Sequence, residues 1–281
     1  MLPARLVDRI RQLCGYRFPR MGRLGNQLFW KSIPREMRSE IVPGIEVDLN
    51  FGDSVCKGTF KYGAAHEWPT LPVLEHWVRA APEPARLFFD IGSNYGYFSY
   101  FLMSRLPGLT AYAFEPNPDT FQRLETIKRE NRLAHFLPQN LGLGETEGQL
   151  DFYPALHNTG DSSFMKRDDV DMGEPIPVPV LPFAAWIERE VLRLPSSPAW
   201  VAKIDVEGYE KYTLRGMAPA LEARAFAGIC LEMLESTQSL TDGGTDSLIV
   251  QMESYGYRRV MRVDRWDIPD GNTNAFFVPE V

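Results

Sequence analysis

Leu87-Phe88-Phe89-Asp90-Ile91-Gly92-Ser93-Asn94-Tyr95-Gly96-Tyr97-Phe98 decides the fold of this chain. An apolar run ends in an aspartate, and a small turn bearing two glycines follows at once. Phe98 to Met103 then reads as a helix. A buried strand that stops at an acid and a glycine-bearing turn is how open α/β sheets build a nucleotide-sized crevice beyond the carboxyl ends of their strands. The glycines permit backbone angles and close approaches that a Cβ blocks.

The next strand supports the same reading. Leu109 to Phe114 runs into Glu115-Pro116-Asn117, which places a second acid at a strand tip, where it can accept hydrogen bonds from ribose hydroxyls. Dinucleotide folds share such an acid, so Glu115 alone does not separate the ligands. The glycine pattern does: it is D-x-G-x-x-x-G from Asp90 to Gly96, and no G-x-G-x-x-G occurs there. A carboxylate at the first tip repels a pyrophosphate and suits a cationic amino acid or a hydroxyl. S-adenosylmethionine (SAM) is therefore expected over a dinucleotide. A bare strand-to-helix turn with a surface acid is the bland alternative.

Outward from this core, strand and helix signals alternate. Strands are expected at Leu87–Asp90, Ala111–Phe114, Phe136–Asn140, Trp200–Asp205 and Ala227–Glu232, with helices near Tyr97–Arg105 and Pro118–Asn131. Tyr257–Val263 and Ala275–Val278 are too closely linked for a helix between them and suggest an antiparallel edge. The expected fold class is α/β: a doubly wound, mostly parallel sheet with an antiparallel C-terminal edge and an N-terminal extension. Residues 1–80 form that extension, a candidate acceptor cap, and residues 81–281 the main domain with an insertion at 145–198. Within the extension, residues 1–40 read as helices and loops, Ile41–Tyr62 as containing strand-like stretches, and Leu71–Ala80 as a helix. Within the insertion, Gln149–Tyr153 and Ile176–Leu181 look like short strands flanking a long loop, which is either a lid or a plain surface loop.

The chain has 281 residues, a formal charge of −7 and three cysteines. Net acidity argues against nucleic acid as the main partner. The charge is uneven: residues 1–31 carry seven basic side chains against Asp8, a net +6 that leaves −13 for the rest. Leu2, Leu6, Ile10 and Leu13 recur at helical spacing among those arginines, so a basic amphipathic helix is expected there, either packed on the main domain or touching an anionic membrane surface. No run of about 18 apolar residues exists, which excludes a transmembrane helix, and charges interrupt any signal-peptide core. Scattered Cys14, Cys56 and Cys230 fit buried thiols in a cytoplasmic protein, and scattered histidines (His66, His76, His135, His157) do not suggest zinc.

The strand tips carry the chemistry. They are Asp90, Glu115, Asn140, Asp205 and Glu232, five polar side chains after five apolar runs, which a shared ligand explains better than packing. Lys203 and Asp205 share one strand face, and Glu207 follows as the chain turns. Methyl transfer to oxygen needs the hydroxyl proton removed, for which Asp205, Glu207, Lys203 and His157 are the candidates. Alternatively Asp205, Glu207 and Glu232 hold a divalent cation such as Mg2+ that acidifies the hydroxyl. A Lys203–Asp205 ion pair that only braces the sheet is the structural alternative.

Four motifs in order resemble the FkbM-type SAM-dependent methyltransferases: Phe89 to Tyr97, Ala113-Phe114-Glu115-Pro116-Asn117, Asn140-Leu141-Gly142-Leu143-Gly144, and Lys203 to Glu210. The resemblance spans roughly Leu87 to Glu232. It implies a Rossmann-like class I methyltransferase fold, SAM as donor, and O-methylation of a sugar, glycan or secondary-metabolite hydroxyl. It also implies that Asp90, Gly92, Asn94 and Gly96 surround the methionine part, that Glu115 holds the ribose and that Asn117 and Asn140 lie near the adenine. Ser93, Phe98, Pro116 and Leu141 are further candidates for the cofactor site. The chain departs from the family in having Ser93 where alanine is common, and no aspartate near Leu181-Pro182 where a Leu-Asp pair is common. Protein or RNA acceptors, a non-catalytic SAM-binding protein and a nicotinamide-dependent oxidoreductase are the competing readings.

Overall fold

A computed structural model describes residues 23–63, 67, 70–82, 86–234, 243–264 and 272–280. The expected amphipathic helix around Leu2–Leu13, and Cys14 and His66, lie outside the described residues.

The elements, in chain order, are α1 (Arg23–Ser32), β1 (Glu36–Val42), β2 (Ile45–Asn50), α2 (Ser54–Tyr62), α3 (Thr70–Ala80), β3 (Leu87–Ile91), α4 (Tyr97–Arg105), β4 (Thr110–Phe114), α5 (Pro118–Glu130), β5 (Phe136–Gln139), β6 (Gly142–Leu143), β7 (Gly148–Phe152), β8 (Ile176–Leu181), α6 (Phe183–Arg189), β9 (Trp200–Ile204), α7 (Glu210–Glu222), β10 (Phe226–Leu234), α8 (Gly244–Ser254), β11 (Tyr257–Asp264) and β12 (Asn272–Pro279). Seven strands form the central sheet in the order β11-β12-β10-β9-β3-β4-β5. β3, β4, β5, β9 and β10 pair in parallel, whereas β12 is antiparallel to both β10 and β11. The chain runs outward from β3 through β4 to β5, returns to place β9 beside β3, and runs outward again. That reversal between β3 and β9 is the switch point where such sheets open a crevice.

Alternation along the strands sorts side chains into two cores. Phe88, Val201 and Cys230 face the layer of α3, α4 and α5, which also holds the N-terminal hairpin. Phe89, Ala202, Ile229 and Leu231 face the opposite layer of α6, α7 and α8. Phe89 is the hub of that second core, with ring centroids of Tyr112, Phe183, Trp200 and Phe226 at 5.6, 5.1, 5.1 and 5.8 Å. On the first face, the ring of Trp77 lies so close to β10 that a Cβ on Gly228 would sit 2.2 Å from it. Glycine there lets α3 settle flat on the sheet.

The helices open where the sequence signals them. Asn117 caps α5 by accepting the Asp119 amide at 3.0 Å, with Pro118 in the first turn. In the extension the sequence reading needs correction at two places. A strand begins at Glu36, inside the stretch read as helices and loops, because Met37, Ser39 and Ile41 alternate inward against Ile45, Val47 and Leu49 of β2. The residues after Asp53 form a helix, because that side chain accepts the Val55 amide at 2.9 Å and caps α2. The β1–β2 hairpin is tied to the main sheet layer by Asn131, whose amide group exchanges two 2.8 Å hydrogen bonds with the backbone of Glu46.

The insertion builds a small sheet in the order β6-β8-β7, matching the two short strands expected there. Among the described residues no helix is long and apolar enough to cross a membrane.

Candidate active site

A cavity of about 380 Å³ opens at the carboxyl ends of β3, β4, β9 and β10. Its floor is the turn after β3. Gly92 has φ +76°, and a Cβ on it would lie 1.7 Å from the Asp205 carbonyl, so the β3 and β9 tips meet only because this residue is glycine. The Gly92 and Ser93 amides donate to the Phe114 carbonyl at 3.1 and 3.0 Å, which stitches the turn to β4.

Two buried carboxyls edge this floor. Asp90 accepts the Ser99 amide at 3.1 Å and its hydroxyl at 2.6 Å, satisfying a first-turn donor of α4. Burial pushes its pKa up to about 6, against the opposing pull of Ser99 and Lys203. Glu115 accepts the Asn94 and Asn117 amides, each at 2.8 Å, one per carboxylate oxygen. Burial raises its pKa to about 7 in spite of those two amides.

A second acidic group lies beyond β9 and β10. One carboxylate oxygen from each of Asp205, Glu207 and Glu232 falls within 4.8 Å of the others. Lys203, 2% exposed, donates to Asp205 at 2.6 Å and sits 5.0 Å over the Phe98 ring. Burial opposes its charge, but Asp205 and Glu232 outweigh burial and hold the ammonium above its usual range. Glu207 and Glu232 are both pushed well above the usual carboxyl range, first by burial and next by Asp205. Glu207 adopts φ +53°, a left-handed conformation uncommon for a residue with a Cβ.

The insertion holds Glu207 in that conformation. Ser163 donates to the Glu207 carbonyl at 2.7 Å, and Arg167 donates to its carboxylate at 3.1 Å while gripping Asp169 with two further nitrogens. Thr159 donates to the Asn94 side chain at 3.1 Å, and the His157 carbonyl accepts the Ser54 amide of α2 at 3.2 Å. The segment thus covers the cavity and reaches both the glycine turn and the N-terminal extension, whose Val55 and Thr59 also line the wall.

Of the residues singled out in the sequence, Asp90, Gly92, Ser93, Asn94, Phe98, Glu115, Pro116, Leu141, Lys203, Asp205, Glu207 and Glu232 line this one cavity. Gly96 begins α4 just behind it with φ +75°. Asn117 and Asn140 are not in the lining: the first caps α5, and the second braces the loop by donating to the Glu115 and Pro116 carbonyls at 3.0 and 3.1 Å. His157 is not in the lining either. Its imidazole is 79% exposed and pairs with Asp171 at 3.2 Å. Sequence reasoning missed Asp161, Phe164 and Arg167. The charged, Gly/Pro-bearing loop that carries them was visible, but nothing in it told which side chain turns inward.

The cavity fits SAM. It offers a glycine floor, a carboxylate held by two amides, and Ser93 Oγ, which is buried at the wall without a hydrogen-bond partner. Residues 90–259 match the family model described as the methyltransferase FkbM domain. Among curated proteins, hexuronic acid methyltransferase AglP of Haloferax volcanii is 28% identical over 146 residues, covering 50% of this chain and 53% of AglP. Methyltransferase 1 of Beauveria bassiana is 28% identical, covering 68% of this chain and 80% of that protein. The 31-O-demethyl-FK506 methyltransferase FkbM of Streptomyces tacrolimicus is 26% identical, covering 68% and 79%. The match therefore spans little more than half the length of AglP and about four-fifths of the other two. The chain belongs to the FkbM methyltransferase family.

Proposed function

We propose that the protein transfers a methyl group from SAM to a hydroxyl of a sugar, glycan or secondary metabolite. The observation that carries this reading is the meeting of two acidic groups in one cavity: Asp90 and Glu115 at the tips of β3 and β4, and Asp205, Glu207 and Glu232 beyond β9 and β10. The first pair suits the donor, with Glu115 toward the ribose hydroxyls and Asp90 near the methionine part. SAM supplies an electrophilic methyl that an acceptor oxygen takes as the carbon–sulfur bond breaks. The second group suits the acceptor, whose hydroxyl proton must leave as that bond forms. Glu207, half-buried beside Asp205, has its proton affinity raised by burial and by Asp205, and is the candidate to take that proton. Lys203 holds a positive charge beside Asp205 and so keeps it in place. The acceptors named for AglP and FkbM, a hexuronic acid and an FK506 hydroxyl, support oxygen as the methylated atom.

A second reading is that Asp205, Glu207 and Glu232 bind a divalent cation such as Mg2+. Their spacing favours it. The cations already in contact with the group, Lys203 on Asp205 and Arg167 on Glu207, offset part of its charge and favour the metal-free reading.

Calorimetry with SAM and with NAD tests the donor, and transfer of labelled methyl to a panel of sugars, polyols, peptides and RNA tests the acceptor. SAM binding with label on a hydroxyl is expected. NAD binding without SAM binding, or label on RNA or protein alone, overturns the reading.

A further inference from the structure

Resting on the reading above, we infer that the acceptor carries no negative charge next to the hydroxyl it offers: it is a neutral sugar or polyol rather than a uronate or a phosphorylated sugar. This narrows the acceptor class and separates it from the hexuronic acid in the name of AglP.

The charge around the cavity carries the inference. Seven carboxyl side chains line the cavity against two basic ones, Lys203 and Arg167. Recognition of a sugar carboxylate or phosphate normally uses an arginine fork or a lysine ammonium presented to the ligand. Neither cation is presented here. Lys203 is buried, spends a 2.6 Å hydrogen bond on Asp205 and lies over the Phe98 ring. Arg167 is 8% exposed at its side chain, with its Nε and one terminal nitrogen on Asp169 and the other on Glu207. An anion entering the cavity would have to compete with Asp205 for Lys203, or with Glu207 and Asp169 for Arg167.

The protein's own charges around the acceptor stay unfavourable to anions however protons are shared among Glu207 and Glu232. With both neutral, Asp205 still balances Lys203 and Asp169 still balances Arg167. Asp161, which lines the same wall, accepts from the neutral Asn158 amide at 2.8 Å and adds a negative charge. Like charges brought together in a protein interior repel far more strongly than in water. The acidic wall offers instead many acceptors for sugar hydroxyls, and Phe152 and Phe164 offer an apolar surface for a ring face.

The test uses the full chain with labelled SAM and three acceptors matched but for one group: a methyl hexoside, the corresponding methyl hexuronide, and the hexoside 6-phosphate. Each is assayed with chelator and with Mg2+, and SAM binding is measured separately. The neutral hexoside is expected to exceed both anions by about tenfold or more in kcat/KM, a factor typical of one unfavourable buried contact. Asp161→Asn is expected to narrow that ratio. Equal or better turnover of the hexuronide overturns the inference while leaving the O-methyltransferase reading intact. So does a preference for anions that appears only with Mg2+, because a bound cation would then supply the missing charge. SAM binding with no label on any of the three, or on any other hydroxyl compound, overturns both together.

Discussion

Glu115 at the tip of β4 holds the backbone amide of Asn94, 21 residues earlier, at 2.8 Å, so the acid of the second strand orders the glycine turn of the first. Its other carboxylate oxygen holds the Asn117 amide. The side chain thus serves the turn, the α5 cap and the cavity wall at once. Such a group is aimed before any ligand arrives, and a contact made without reorganisation loses little to ordering entropy.

Glu115→Gln keeps the shape of the side chain but puts an amide donor against one of the two N–H groups. SAM affinity is expected to fall about tenfold to a hundredfold, as for a lost charge-assisted hydrogen bond of about 1.5–3 kcal/mol. Calorimetric titration reads this directly, and an unchanged affinity would remove Glu115 from the donor site.

The same residue gives a pH signature. Burial raises the Glu115 pKa from 4.5 to about 7. A carboxyl with a raised folded-state pKa contributes stability that is complete below the unfolded value and is lost as pH climbs through the folded one. The ligand-free protein should therefore lose on the order of 3 kcal/mol through this group between about pH 4.5 and 7. Asp90, raised from 3.8 to about 6, works in the same direction. Melting temperatures across that window should show a flatter profile for Glu115→Gln than for the parent. Parallel profiles would contradict the linkage.

Gly92→Ala should cost about 2–4 kcal/mol, because the new Cβ meets both an unfavourable φ and a backbone oxygen. The β3 and β9 tips must part to admit it, so donor affinity should fall with stability. Denaturant unfolding together with SAM titration checks this pair of effects. A folded variant with full donor affinity would mean that the two tips need not touch.

The strands and their acidic tips were legible because each is an apolar run stopped by a polar residue, and a parallel sheet aligns those stops on one edge. Asp90, Glu115, Asp205 and Glu232 follow from that rule alone. Asn140, the fifth tip, instead gives its side-chain amide to the backbone carbonyls of Glu115 and Pro116, and Asn117, a candidate through the family resemblance rather than this rule, caps α5. His157 misled because residue type carries no direction: it sits in the covering segment but faces outward. Arg167 was invisible for the converse reason. Its value lies in reaching Glu207, 40 residues away, and only the folded insertion reveals that contact. The N-terminal hairpin was half seen. Strand β2 alternates cleanly, while β1 places Arg38 and Glu40 between its inward residues and reads as polar until paired.

Phe89→Ala tests the scaffold apart from the chemistry. Its ring packs against five other aromatic rings in the core behind β3, and its removal leaves a cavity walled by stiff side chains. A loss of about 3–5 kcal/mol is expected. At a temperature where the variant stays folded, donor affinity should change little, because the side chain points away from the cavity.

Asp205→Asn and Glu207→Gln address the acceptor side. If the carboxyl group removes the hydroxyl proton, each variant should lose about 10²- to 10⁴-fold in kcat. SAM affinity should stay within about threefold, since the donor lies at the Asp90 and Glu115 end. Chelator should leave the parent rate unchanged, because Lys203 and Arg167 already offset part of the group's charge. Should chelator abolish turnover and Mg2+ restore it, the three carboxylates act as metal ligands. The two variants would then show a raised Mg2+ requirement rather than a uniform loss of rate. Full turnover by both variants would move the base elsewhere, leaving Arg167 and Lys203 as braces for the β9 tip.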